Sequence, residues 1–74
     1  MTWKTYIKSD PKILFGKPVI KNTRIPVDLI LEKLSAGHSA ESLLKSYPRL
    51  TKKAIRACLQ FASDNAKHDK VISV

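Results

Sequence analysis

Four prolines and two glycines (Pro11, Gly16, Pro18, Pro26, Gly37, Pro48) cut this chain into short pieces. Only the stretch after Pro48 is long enough for a helix of more than three turns. Proline removes a backbone donor and clashes with the turn before it, while glycine favours turns and helix ends. The fold must therefore be assembled from short elements. At 74 residues there is room for one domain and one small core, and no deep cleft follows easily from such a core.

Trp3, Tyr6 and Ile7 favour a short strand in residues 1–8, ended by Ser9-Asp10-Pro11 as a turn. Val19-Ile20-Lys21 and Arg24-Ile25 flank Asn22-Thr23. This is the pattern of a tight hairpin in which Asn22 takes the left-handed conformation. Pro18 and Pro26 bound these strands and confine them to an edge. Pro26 also suits the first position of a helix, where its missing N–H has no intrahelical partner. Val27, Ile30, Leu31 and Leu34 then follow helical spacing, Asp28 sits in the first turn, and Gly37 closes the helix. Ser39 caps a second helix, with Ala40, Leu43, Leu44 and Tyr47 on one face and Pro48 as its stop.

Thr51 caps the third helix, expected over Thr51–Ala66, and Leu50 can staple against Ile55. With Lys52 set at zero, Ile55, Cys58, Leu59, Ala62 and Ala66 fall between about 240° and 340° on the helical wheel. Lys52, Lys53, Arg56, Gln60, Ser63, Asp64 and Lys67 fall between about 0° and 120°. The first group is expected to be buried and the second to be polar and mostly cationic. Three short helices, the last two joined by a tight turn and preceded by strands, give a mainly α fold. These elements describe a helix-turn-helix core with short N-terminal strands or a hairpin. Residues 1–66 form the domain and residues 67–74 a tail.

The net charge is +8, from fourteen Lys+Arg against six Asp+Glu, and it is uneven. Residues 1–25 carry six cations and one acid, residues 26–48 two and three, and residues 49–74 six and two. The two ends are basic and the middle reads as scaffold. Such a chain is drawn to nucleic acid or to an acidic protein, although a charge of this size also serves solubility alone. No apolar run exceeds four residues, against about 20 for a membrane span and about 7–15 for a signal peptide. A cytoplasmic location is expected.

The polar face of the third helix is the best functional candidate. A recognition helix puts its N-terminal residues at base edges in the major groove, which places Lys52, Lys53 and Arg56 there. Arg56 can read guanine and Gln60 adenine, with Lys45 and Arg49 near phosphates. The alternative is a solvated face that contacts nothing. Lys17, Lys21 and Arg24 make the hairpin basic, either as a contact for phosphate or a protein partner, or as lysines that blunt an exposed edge. The terminal Val71-Ile72-Ser73-Val74 is either a frayed end or a strand for a partner's sheet.

Catalysis is poorly supported. Cys58 lies on the apolar face and reads as a packed thiol, His38 sits in a turn, and His68 is near the end. Asp28 and Glu32 are the only acids paired on one helix face, and the two glycines stand alone. No enzyme activity, cofactor, metal or small-molecule substrate is expected. Trp3 and Tyr6 can stack on bases, but packing against the helices is the simpler use for them in so small a core.

The run Ser9-Asp10-Pro11-Lys12-Ile13-Leu14-Phe15-Gly16-Lys17-Pro18-Val19-Ile20, followed by Thr23-Arg24-Ile25-Pro26-Val27, resembles the family called domain of unknown function 433. Ser46-Tyr47-Pro48-Arg49-Leu50-Thr51 and Ile55-Arg56-Ala57-Cys58-Leu59 match its second half, so the resemblance spans roughly residues 6–62. The sequence departs from the pattern at Phe15 and Asn22, where glycine is common. Asn22 is an easy replacement in a turn; Phe15 is not. The resemblance implies a winged or homeodomain-like helix-turn-helix fold and a relation to VapB-type antitoxins, the partners of small PIN-like nuclease toxins. It implies that the protein silences such a toxin and that the pair binds its own operator. Nucleases of that type hold Mg²⁺ with clustered carboxylates, and a cationic partner suits that acidic pocket. A homodimer is expected, because helix-turn-helix proteins pair across two half-sites. The alternative is a protein–protein interaction module that binds no DNA.

Overall fold

The computed structural model describes residues 2–68. A 3-10 turn over Trp3–Thr5 leads into β1 (Ile7–Ser9), and β2 (Pro18–Ile20) pairs with it antiparallel. Ile7 stands opposite Ile20, Lys8 opposite Val19, and Ser9 opposite Pro18. Helices α1 (Val27–Ser35), α2 (Ala40–Ser46) and α3 (Lys52–His68) follow. The result is the expected mainly helical, three-helix arrangement behind a short two-stranded sheet. Among the described residues, no helix is long and apolar enough to cross a membrane.

The N-terminal strand begins later than its aromatics suggest. Trp3 turns instead, with the Tyr6 N–H donating to the Trp3 carbonyl at 2.9 Å. The hairpin at Asn22 is shorter than expected. Its arms are joined by the Ile20 N–H donating to the Ile25 carbonyl at 3.0 Å and by a bridge between Val19 and Pro26. Pro26 has no N–H to extend the ladder, and β2 spends its other edge on β1. Thr23 ties the turn: its hydroxyl donates to the Ile20 carbonyl at 2.7 Å and accepts from the Ile25 N–H at 3.0 Å. Asn22 has φ +64°, as expected for that position.

The helix ends follow local chemistry. Gly37, at φ +98°, donates its N–H to Leu34, and the His38 N–H reaches back to Lys33, a Schellman closure of α1. The Ser39 hydroxyl accepts from the Ser42 N–H and that of Thr51 from the Ala54 N–H, both at 3.1 Å. Leu50 and Ile55 are both buried, as a staple requires. Pro26 stands one residue before α1 rather than inside it, and α3 runs two residues past Ala66, so Lys67 and His68 are helical rather than tail.

Ile7, Val19, Ile20, Val27, Ile30, Leu43, Leu50, Ala54, Ile55, Ala57 and Cys58 are buried. Each large aliphatic side chain among them contributes about 1.5–3 kcal/mol of hydrophobic stabilisation. Helix α3 packs on α1, α2, β1 and the first turn, so it is the central element. Its buried arc is rotated from the expected one. Ala54, Ala57 and the half-buried Phe61, at about 200°, 140° and 180° on the same wheel, face inward. Leu59 is 51% exposed and Ala66 is also exposed. The shift has a cause. Trp3 packs edge-on against Phe61 at 4.9 Å, and its indole N–H donates to the Asp64 carboxylate at 2.8 Å. That aromatic pair pulls the Phe61 side of α3 inward, and Asp64 with it. Asp64 is therefore a partly buried acceptor and not a solvated residue of the polar face.

Candidate functional site

The α2–α3 connection holds the centre of the cationic surface. Tyr47 and Leu50 anchor it to the core, the Leu50 N–H donating to the Tyr47 carbonyl at 2.9 Å. Arg49, between them, points outward. Its guanidinium donates to the Asn22 carbonyl at 3.2 Å, from 27 residues away in sequence. This contact brings the tip of the β2–α1 turn beside the start of α3.

Three concavities follow one another along that side. The first lies between the Asn22 turn and the α2–α3 connection and includes Lys8, Arg24 and Arg49. The second lies across Arg49 and includes Lys21 and Thr51. The third is formed by Tyr6 with Lys52, Lys53 and Arg56. None of the residues lining them is acidic. Lys21, Arg24, Arg49, Lys52, Lys53 and Arg56 are all exposed. Together they form a run of positive charge on two elements that the sequence treats separately.

The other candidate residues divide. Lys45 is exposed near the end of α2, and Gln60 is half-buried on α3. Lys17 is paired with Asp28 at 3.2 Å, an exposed contact across the start of α1, and lines none of the three concavities. Val71 and Ile72 lie outside the described residues. Trp3 is committed to Phe61 and Asp64, so it packs rather than stacks on bases. Leu59, missed as a surface residue, stands one turn beyond Arg56 on the exposed side of α3. Its only sequence signal was its position at the edge of the apolar arc.

Cys58 is fully buried, and burial pushes its thiol up to about 11, so it stays neutral. Among the described residues there is no group of three or more His, Cys, Asp or Glu able to hold a metal ion.

A family model described as "Protein of unknown function (DUF433)" matches residues 7–62. The uncharacterized protein y4eO of Sinorhizobium fredii is 39% identical over 59 residues, which are 80% of this chain and 27% of that protein. The crystal structure of a DUF433 member protein from Anabaena variabilis superposes with a TM-score of 0.77 at 31% identity. That match covers 84% of this chain and 61% of the other. The chain thus spans about a quarter of the length of the first relative and under two thirds of the second.

Proposed function

This chain belongs to the DUF433 family, whose function is unknown, and on that premise we propose that it is an antitoxin-like regulator. In this reading it binds operator DNA as a homodimer through the α2–α3 helix-turn-helix and neutralises an acidic, PIN-like nuclease toxin. One observation carries the DNA half. The Arg49–Asn22 contact joins Lys21 and Arg24 to Lys52, Lys53 and Arg56 in one acid-free surface. Lys52, Lys53 and Arg56 occupy the N-terminal half of α3, the part of a recognition helix that meets base edges. Lys21 and Arg24 sit beside it as a wing would, within reach of phosphates. Exposed Leu59, one turn on, can meet a thymine methyl group. The toxin half rests on the family resemblance and on charge, since a net +8 chain complements a carboxylate-rich metal pocket.

The test is fluorescence anisotropy of the purified protein with the duplex upstream of its own gene and a scrambled duplex of equal length. Co-expression with the neighbouring open reading frame is measured alongside. Preference for the native duplex and relief of the neighbour's growth inhibition support the reading. Equal or no binding to both duplexes overturns the DNA half, and unrelieved toxicity overturns the toxin half. A second reading, a protein-interaction module without DNA binding, is favoured by Leu59, because half-exposed leucine among cations also suits an amphipathic protein contact.

A further inference from the structure

The first of the three concavities is the largest of them. It is an open groove of about 700 Å³ between the Asn22 turn and the α2–α3 connection. Ile13, Ile25, Tyr47 and Pro48 give it a largely apolar surface, with Asn22, Thr23 and Ser46 also at its walls. Lys8, Arg24 and Arg49 stand at it, all exposed, and no acid lines it. Ile13, half-buried in the β1–β2 connection, is outside the core cluster, so its apolar surface serves the groove rather than the fold.

We propose that this groove is a docking site for a segment of an acidic partner protein in which carboxylates alternate with aliphatic or aromatic side chains. The inference deepens the partner half of the function proposed above by naming where the partner sits. Apolar side chains would leave water between Ile13, Ile25 and Tyr47, while carboxylates meet the guanidinium groups of Arg24 and Arg49 and the ammonium of Lys8. Guanidinium binds carboxylate through two parallel hydrogen bonds, which fixes register as well as charge. A nucleic-acid strand fits less well. Single-stranded sites stack successive bases on several aromatic faces. This groove offers one aromatic ring, Tyr47, among the aliphatic surfaces of Ile13, Ile25 and Pro48, so a strand would find no succession of stacking platforms.

The test uses three fluorescein-labelled probes of equal length: a peptide alternating Glu with Leu and Phe, an all-Asp peptide, and single-stranded DNA. Affinities come from anisotropy, and the contact surface from amide shifts in the ¹⁵N-labelled protein. The mixed peptide is expected to bind at least tenfold more tightly than the all-Asp peptide and to shift the amides of Thr23, Arg24, Ile25 and Arg49. Arg24→Glu and Ile13→Ser, neither of which touches the core, should each weaken it at least fivefold while duplex DNA still binds the Ile13→Ser protein. Lys53→Ala should leave peptide affinity unchanged. Equal affinity for the all-Asp peptide would reduce the effect to bulk charge and overturn the proposal. So would tighter binding of single-stranded DNA at the same amides, or the absence of groove shifts at millimolar peptide. Loss of duplex binding by the parent protein, with the peptide result intact, would count against the operator reading and leave the groove standing.

Discussion

The Leu14-Phe15-Gly16 turn makes a prediction whose sign is unusual for a truncation. Leu14, Phe15 and Gly16 have φ values of +49°, +57° and +83°. Three left-handed residues in succession are held by the Gly16 N–H donating to Ile13 and the Lys17 N–H donating to Leu14. The left-handed conformation costs an ordinary L-residue about 1–2 kcal/mol, and glycine avoids that cost. Phe15 is 103% exposed, so replacing it removes no buried surface. Against the relief stands the extra freedom glycine has in the unfolded chain, about 0.5–1 kcal/mol. Phe15→Gly should therefore stabilise the protein by about 0.5–1 kcal/mol. At this chain length that raises Tm by about 2–8 °C. Phe15→Ala, which keeps the same backbone penalty, should stay within about 0.5 kcal/mol of the parent. Thermal melts followed by circular dichroism, with urea titrations at constant m, measure both. A lower Tm for Phe15→Gly would refute the reasoning, because it would mean that the ring is held by contacts or that the turn is not left-handed.

Further expectations concern the core and its caps. Thr51→Ala should cost about 1 kcal/mol in urea unfolding, because the Ala54 N–H loses its acceptor. Asp64→Ala should cost about 1–2 kcal/mol and red-shift the Trp3 emission, whereas Asp64→Asn, which keeps an acceptor for the indole N–H, should cost less. Cys58 should resist alkylation at pH 8 until the protein unfolds. Its folded thiol titrates near 11 against 9.0 for the free group, so the native state holds the proton longer. Its contribution to stability is fully present below pH 9.0 and is lost as pH rises towards about 11, which a urea series across that window would show.

The sequence was most legible where structure is decided within one turn of the chain. Ser39 and Thr51 cap the helices they precede, Gly37 closes α1, and Asn22 takes the left-handed position, all from side-chain chemistry acting over a few residues. What it hid depends on contacts between distant segments. The bond from Trp3 to Asp64 spans 61 positions and rotates the buried arc of α3 towards Phe61. Alanine carries too little hydrophobic signal to reveal that rotation, so the helical wheel leaves Ala54 and Ala57 out of the apolar arc and puts Leu59 in it. The cationic residues of α3 were legible as an exposed set, since Lys52, Lys53 and Arg56 are all at the surface. Their union with Lys21 and Arg24 was not, because it is made by Arg49 reaching the Asn22 carbonyl. Likewise Lys17, counted with the hairpin by its position, is drawn to Asp28.

The salt dependence of duplex binding tests the central claim, that Arg49 and the start of α3 form a phosphate-binding surface with the Asn22 turn. Each phosphate neutralised contributes about −0.9 to the slope of log K against log salt. With about five of the six clustered cations engaged per protomer, the account predicts a slope near −4 to −5 per protomer. Lys53→Ala and Lys21→Ala should each reduce its magnitude by about 0.9, the second because the turn shares the surface. A slope near zero, or one unchanged by both substitutions, would contradict it.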